Sequence, residues 1–194
     1  MGECYGDAAR RVAPGRAVHD KVKGIIMSAQ ATTMRPVNNV DVSDAAAKTM
    51  CWALAVLLLT TVHHVYGAYI YDTPWRNHAA AVAALTAAAL AASHRVLARR
   101  PGTTAGGVAF WAFAAVTLAV PVVLIGLFEG GYNHAVKDAL YFAGASGGLM
   151  RRLFPPPTYE MPDDAFFEVT GVLQLALGII TGLRLLDAVR ARRR

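Results

Sequence analysis

Apolar residues fall into four blocks separated by polar stretches. Met50–Tyr71 carries the run CWALAVLLLTTV before its first ionisable side chain, and His78–Leu97 is alanine-rich. Gly106–Phe128 is uncharged, and Ala165–Leu186 holds only Glu168 and Arg184, one charge near each end. Each block has 20–23 residues, the length a helix needs to cross a hydrocarbon layer of about 30 Å. The pattern predicts an all-α integral membrane four-helix bundle, with spans over about 46–71, 74–97, 106–128 and 165–186. These belong to a transmembrane domain of residues 44–194, preceded by a cytoplasmic N-terminal arm of residues 1–43.

Punctuation residues set the expected ends. Asp41, Ser43 and Asp44 are placed to cap the first helix. Thr73 followed by Pro74 reads as the N-cap and first position of the second, which makes the first hairpin very tight. Trp75 then sits at headgroup level. Pro101-Gly102 breaks the chain after the second helix, and Pro121 should kink the third.

Between the third and fourth blocks, Ala139–Met150 is apolar but has only 12 residues and contains Gly144, Gly147 and Gly148. At about 1.5 Å per residue it is too short to cross. An interfacial or re-entrant helix is expected instead, ending at Arg151-Arg152 and Pro155-Pro156-Pro157 and lying as a lid over what is beneath.

Composition agrees with the blocks. The 194 residues are 55% hydrophobic and 16% charged, with a net charge of +6, against about 25% charged in ordinary soluble domains. Two cysteines, Cys4 and Cys51, exclude a disulfide scaffold and any CxxC motif. Lys and Arg concentrate on the side of both termini and the 2–3 loop, so both termini are expected in the cytoplasm. The basic residues flank helices and line no folded face, so a nucleic-acid partner is not expected. The bilayer is, along with a homo-oligomer or a larger membrane complex as a possibility left open.

Few charges remain, and those that remain gather. The stretch HHVYGAYIYDTPWRNH, from His63 to His78, covers the outer end of helix 1, the turn and the start of helix 2. The stretch EGGYNHAVKD, from Glu129 to Asp138, begins at the outer end of helix 3. A bundle brings these ends together. At least one of His63 and His64 is expected inside the hydrocarbon layer, where ionisable groups usually face a cavity or pathway. Adjacent helical positions point about 100° apart, so one of the two is expected to face inward while the other meets a neighbouring helix.

His63, His64, His78, Glu129 and His134 are therefore the candidate catalytic residues. Tyr66, Gly67, Asp72, Arg76, Tyr132, Lys137 and Asp138 are expected around the substrate. A Glu129–Lys137 ion pair and an Asp138–His134 hydrogen bond are both feasible, although Gly130-Gly131 could break the helix between them. The first function expected is acid–base chemistry, such as isomerisation or cyclisation, on a lipophilic small molecule, without a cofactor. The second is a metal centre (Zn, Fe or Cu) held by His64, His78, Glu129 and His134, or a haem. A transporter component or accessory subunit without catalysis is the third.

Overall fold

The computed structural model describes residues 39–156 and 159–193. The expected arm lies outside these except for its last few residues. Four helices are long and apolar enough to cross a membrane: Asp41–Ile70, Pro74–Arg99, Thr104–Phe142 and Ala165–Arg193. No strand occurs among the described residues.

Helix α1 (Asn39–Ile70) starts before its expected caps, which leaves Asp41 in the first turn, where a carboxylate suits the helix dipole. The hairpin after it is tight. Thr73 N–H donates to Ala68 O at 3.0 Å, and Asp72 takes a left-handed φ of 50°. Thr73 does not cap with its side chain, whose hydroxyl donates back to Gly67 O. Pro74–Asn77 forms a 3-10 turn that leads into α2 (His78–Arg99).

The third span changes character midway. Its first half is α3 (Thr104–Thr117), with Gly106 N–H donating to the Thr103 hydroxyl at the N-cap. From Leu118 to Val136 the backbone is π-helical, and Pro121, which has no N–H to donate, lies at the start of this stretch. The proline expected to kink this helix lies where its turn widens. The helix also runs through Gly130-Gly131 without a break and ends in α4 (Lys137–Phe142).

The glycines serve a different purpose. A Cβ on Gly126 would meet the backbone of Gly178, and one on Gly130 would meet the backbone of Gly171, Gln174 and Leu175. These missing side chains draw the π-helical half against α6 (Ala165–Arg193), as small residues do between helices in lipid. Helix α6 also packs along α1, while α2 packs against α1 and α3. The third span therefore leans from α2 in its first half to α6 in its second. Little of α2 meets the π-helical half, and a cleft separates them.

The stretch expected as one helix over 139–150 is divided. Its first residues finish the third span, a turn with Gly144 at φ 79° follows, and α5 (Gly147–Leu153) starts afresh under a Ser146 cap. Tyr132 ties α5 back by donating to Leu153 O at 3.0 Å and packing on the buried Phe154.

Large apolar side chains cover the outer faces, and polar ones are buried between helices beside an apolar core. Leu58, Leu85, Val108 and Leu183 are 57–72% exposed on the outer faces. Thr49, Thr60, His63, Thr117, Gln174 and Thr181 are buried between helices. Several of the threonines return their hydroxyl to the carbonyl one turn back. The apolar core, around Leu90, Phe110 and Phe113, occupies the half nearer the ends of α2 and α6. The opposite half is polar.

Candidate metal centre

The polar half is built from the end of α1, the 3-10 turn, the π-helical stretch and the first turns of α6. On the π-helical stretch, Glu129 reaches both the fourth and the fifth residue ahead. Its Oε2 accepts from Asn133 Nδ2 at 2.7 Å, and its Oε1 lies 3.7 Å from His134 Nε2. The widened turn is what makes both contacts available to one carboxylate.

Two more histidines arrive at that oxygen from α1. His63 Nε2 is 3.8 Å and His64 Nε2 is 3.6 Å from Glu129 Oε1. As expected of adjacent positions, His64 faces the interior cavity and His63 meets a neighbouring helix, α6, yet both rings border Glu129. The His63 ring is fully buried, stacked on Phe167 at 4.1 Å and edge-on to His134 at 4.7 Å.

The other ring nitrogens are all committed. His63 Nδ1 donates to Thr170 Oγ1 at 2.9 Å, because the single hydroxyl proton of Thr170 goes to the carbonyls of Phe166 and Phe167. His64 Nδ1 is 3.0 Å from Thr60 O, which can only accept. His134 Nδ1 donates to Glu168 Oε2 at 2.6 Å. In its neutral form each ring therefore carries its proton on Nδ1 and turns Nε2 toward Glu129 Oε1, while His134, set between Glu129 and Glu168, can also hold a second proton on Nε2 in the absence of an ion. Separations of 3.6–3.8 Å are too long for N–H···O bonds. They are close to the spacing of about 3.3–3.5 Å between neighbouring donors around an ion held at about 2.0–2.1 Å. His63 Nε2 is buried and has no hydrogen-bond partner among the described residues.

His63, His64 and Glu129 are mutually close enough to share an ion, with His134 reaching them through Glu129 Oε1; His134 also belongs to a second such group, with Asp138 and Glu168, but a cation from the protein already serves that one. Buried Lys137 Nζ sits 3.0 Å from Glu168 Oε1 and 3.8 Å from Asp138 Oδ1, and donates to Glu160 O at 2.9 Å. The expected Glu129–Lys137 and Asp138–His134 pairings are both replaced by pairings to Glu168. Glu129, by contrast, has no Lys or Arg within ion-pair distance among the described residues.

A cavity of about 200 Å³ opens beside the cluster, lined by His64, Glu129, His134, Arg76, Trp75 and Tyr159 among others. Burial, with Tyr132 and Glu129 nearby, holds the Tyr159 phenol above its ordinary pKa, so it faces the cavity as a neutral hydroxyl. An apolar cleft of about 170 Å³ adjoins it between α2 and the π-helical stretch, sharing His64, His78, Phe128 and Glu129 as walls.

The remaining expected residues take wall or scaffold positions. His78 lines both spaces, but its Nδ1 donates to Trp75 O and its ring stacks on Trp75. It is not one of the side chains gathered at Glu129. Tyr66 donates to Asp164 at 3.1 Å, Gly67 leaves room for Phe167, and Asp72 forms the exposed turn. Tyr132 holds α5, and Arg76 is buried on the cavity wall. Glu168, Thr170, Thr60 and Asn133 were missed. Glu168 had a legible signal, a carboxylate inside the fourth apolar block, and so had the GLFEG spacing of Gly126 and Gly130. Compared with family models, with curated proteins and with solved structures, the chain gives no match.

Proposed function

We propose that the chain is an integral membrane metalloenzyme in which His63, His64, His134 and Glu129 hold one transition-metal ion near a bilayer interface. The observation that carries this reading is the convergence of three imidazole Nε2 atoms on one carboxylate oxygen, with every Nδ1 tied to an acceptor. Such backing is what orients metal-binding histidines and fixes their tautomer. Three nitrogens and one oxygen suit Zn²⁺ first, with Fe²⁺, Co²⁺, Mn²⁺ and Cu²⁺ as competitors. Compared with the sequence expectation, His63 replaces His78 among the ligands. A haem fits poorly, because the rings of His63 and His134 pack on each other and leave no slot for a macrocycle.

The four spans cross the membrane, α5 lies along the interface, and the cavity admits a lipophilic small molecule. The ion would supply Lewis-acid chemistry, polarising a substrate oxygen or activating water, at a fifth position open to the cavity beyond its four protein ligands. Glu168, held by Lys137, accepts from His134 Nδ1 and keeps its Nε2 free for the ion, and Phe167 and Phe128 limit water beside the cluster.

Metal analysis of the full-length protein in mild detergent tests the proposal. The wild type should retain about one equivalent of one transition metal, and Glu129→Gln and His64→Ala less than about a tenth of that. If the wild type retains none of Zn, Fe, Co, Mn or Cu after loading with each, the metal reading fails. Direct proton transfer between Glu129 and the histidines then takes its place.

A further inference from the structure

Arg76 is 5% exposed, and its Nε and Nη2 have no hydrogen-bond partner among the described residues. These two atoms form the side-on fork of a guanidinium, the edge that grips a carboxylate or phosphate with two parallel bonds. Glu160 Oε1, the nearest anion, stays 3.6 Å from Nη2, beyond hydrogen-bond distance. The planar faces are occupied otherwise: the rings of Trp75, Phe167 and Tyr71 lie 5.1, 5.5 and 5.6 Å from Cζ. Aromatic contact holds the guanidinium in place, and Glu160 pairs with it without a hydrogen bond; Arg76 lines the cavity that Glu129 and His134 also line. Glu160 supplies charge but no hydrogen bond, so buried N–H groups remain that a ligand anion reaching both atoms would satisfy.

The apolar cleft continues from the same cavity. Val82 and Ala83 of α2 face Leu124 and Ile125 of the π-helical stretch across it, and His64 and Glu129 stand where cleft and cavity join. A head held at Arg76 with a tail in this cleft passes directly by the histidine cluster.

We infer that the substrate is a single-chain amphiphile with an anionic headgroup, a carboxylate or a phosphate. The Nε–Nη2 edge of Arg76 holds its head, and its tail lies between α2 and Leu118–Val136. The metal-centre reading enters only in placing the reactive atom near His64 and Glu129; binding of the amphiphile depends on Arg76 and the cleft.

Full-length protein carrying Trp52→Phe and Trp111→Phe, so that Trp75 reports alone, would be titrated in nonionic detergent. Palmitate is compared with hexadecanol, and oleoyl lysophosphatidate with monoolein, which separates carboxylate from phosphate heads. At least one anionic probe should bind about tenfold or more tightly than its neutral partner. Arg76→Gln should abolish that preference, and Arg76→Lys, which keeps the charge but not the fork, should restore only part of it. Val82→Phe should weaken palmitate relative to hexanoate by filling the cleft. Equal affinity for anionic and neutral probes in the otherwise unaltered protein overturns the inference, even if the Arg76 variants do not fold. So does an undiminished preference in a folded Arg76→Gln.

Metal content measured on the same samples separates the two proposals. A full complement of ion without anion preference removes this one alone. An Arg76-dependent preference without ion removes the metal reading alone.

Discussion

His134 donates through Nδ1 to one oxygen of Glu168 at 2.6 Å, while the other oxygen receives Lys137 Nζ at 3.0 Å. A single carboxylate on α6 thus orients a site histidine on the third span and neutralises a buried ammonium one turn further along it. Geometry of the site and stability of the bundle are coupled at this residue.

Glu168→Gln separates those two duties. Loss of the charged acceptor should lower metal affinity about 10–100-fold. It also leaves Lys137 with a weaker partner, at a cost of up to about 3–5 kcal/mol. Adding Lys137→Met should recover thermal stability without recovering metal affinity. A chelator-competition titration and a thermal melt on both variants check this, and full affinity in Glu168→Gln would remove the orienting role.

His78 provides the negative control. It lines the cavity, but its Nδ1 and ring are engaged with Trp75. His78→Ala should retain the wild-type metal stoichiometry, whereas His63→Ala should lose it. The opposite result would return His78 to the ligand set and displace His63.

Chelation should destabilise the wild type selectively. An ion that binds only the folded protein adds stability that grows with its free concentration, about 2.7 kcal/mol at a hundredfold excess over Kd. Stripping it should lower the melting temperature, and returning one equivalent should restore it. Glu129→Gln should melt at one temperature under both conditions; a chelator shift as large as that of the wild type would show that the ion sits elsewhere.

The glycine seam makes a separate prediction about folding. Gly126→Val and Gly178→Val each force side-chain atoms against the facing backbone and should cost about 1–3 kcal/mol or more. Gly182→Ala meets only the Val122 side chain at an ordinary 3.5 Å, so its melting temperature should match the wild type. Equal melting of all three would mean that α6 and the π-helical stretch do not pack through these residues.

Much of the site was legible because charge is scarce. In a chain with 16% charged residues, His63-His64 stand out inside one apolar block and Glu129 and His134 just past the end of another, and a bundle can only gather them at one end. Their partners were less visible. Thr60 and Thr170 look like ordinary helix residues, and Lys137 offers no hint that it crosses to Glu168 in preference to Glu129, eight residues away. Those choices depend on which helix faces meet, which periodicity within one helix does not encode.

By itself the sequence determined four apolar helices of membrane length and the end of the bundle at which ionisable side chains collect. Length and hydropathy are local properties, so they survive without a partner helix. Only the tertiary structure decided that both α1 histidines border Glu129, that His63 belongs with it and His78 does not, and that the fork of Arg76 makes no hydrogen bond. These outcomes follow from a proline-marked π-helical stretch that changes which residues share a face. They also follow from glycines that bring α6 close enough to supply Glu168 and Thr170. Both effects are relations between helices, settled by backbone contact and side-chain fit.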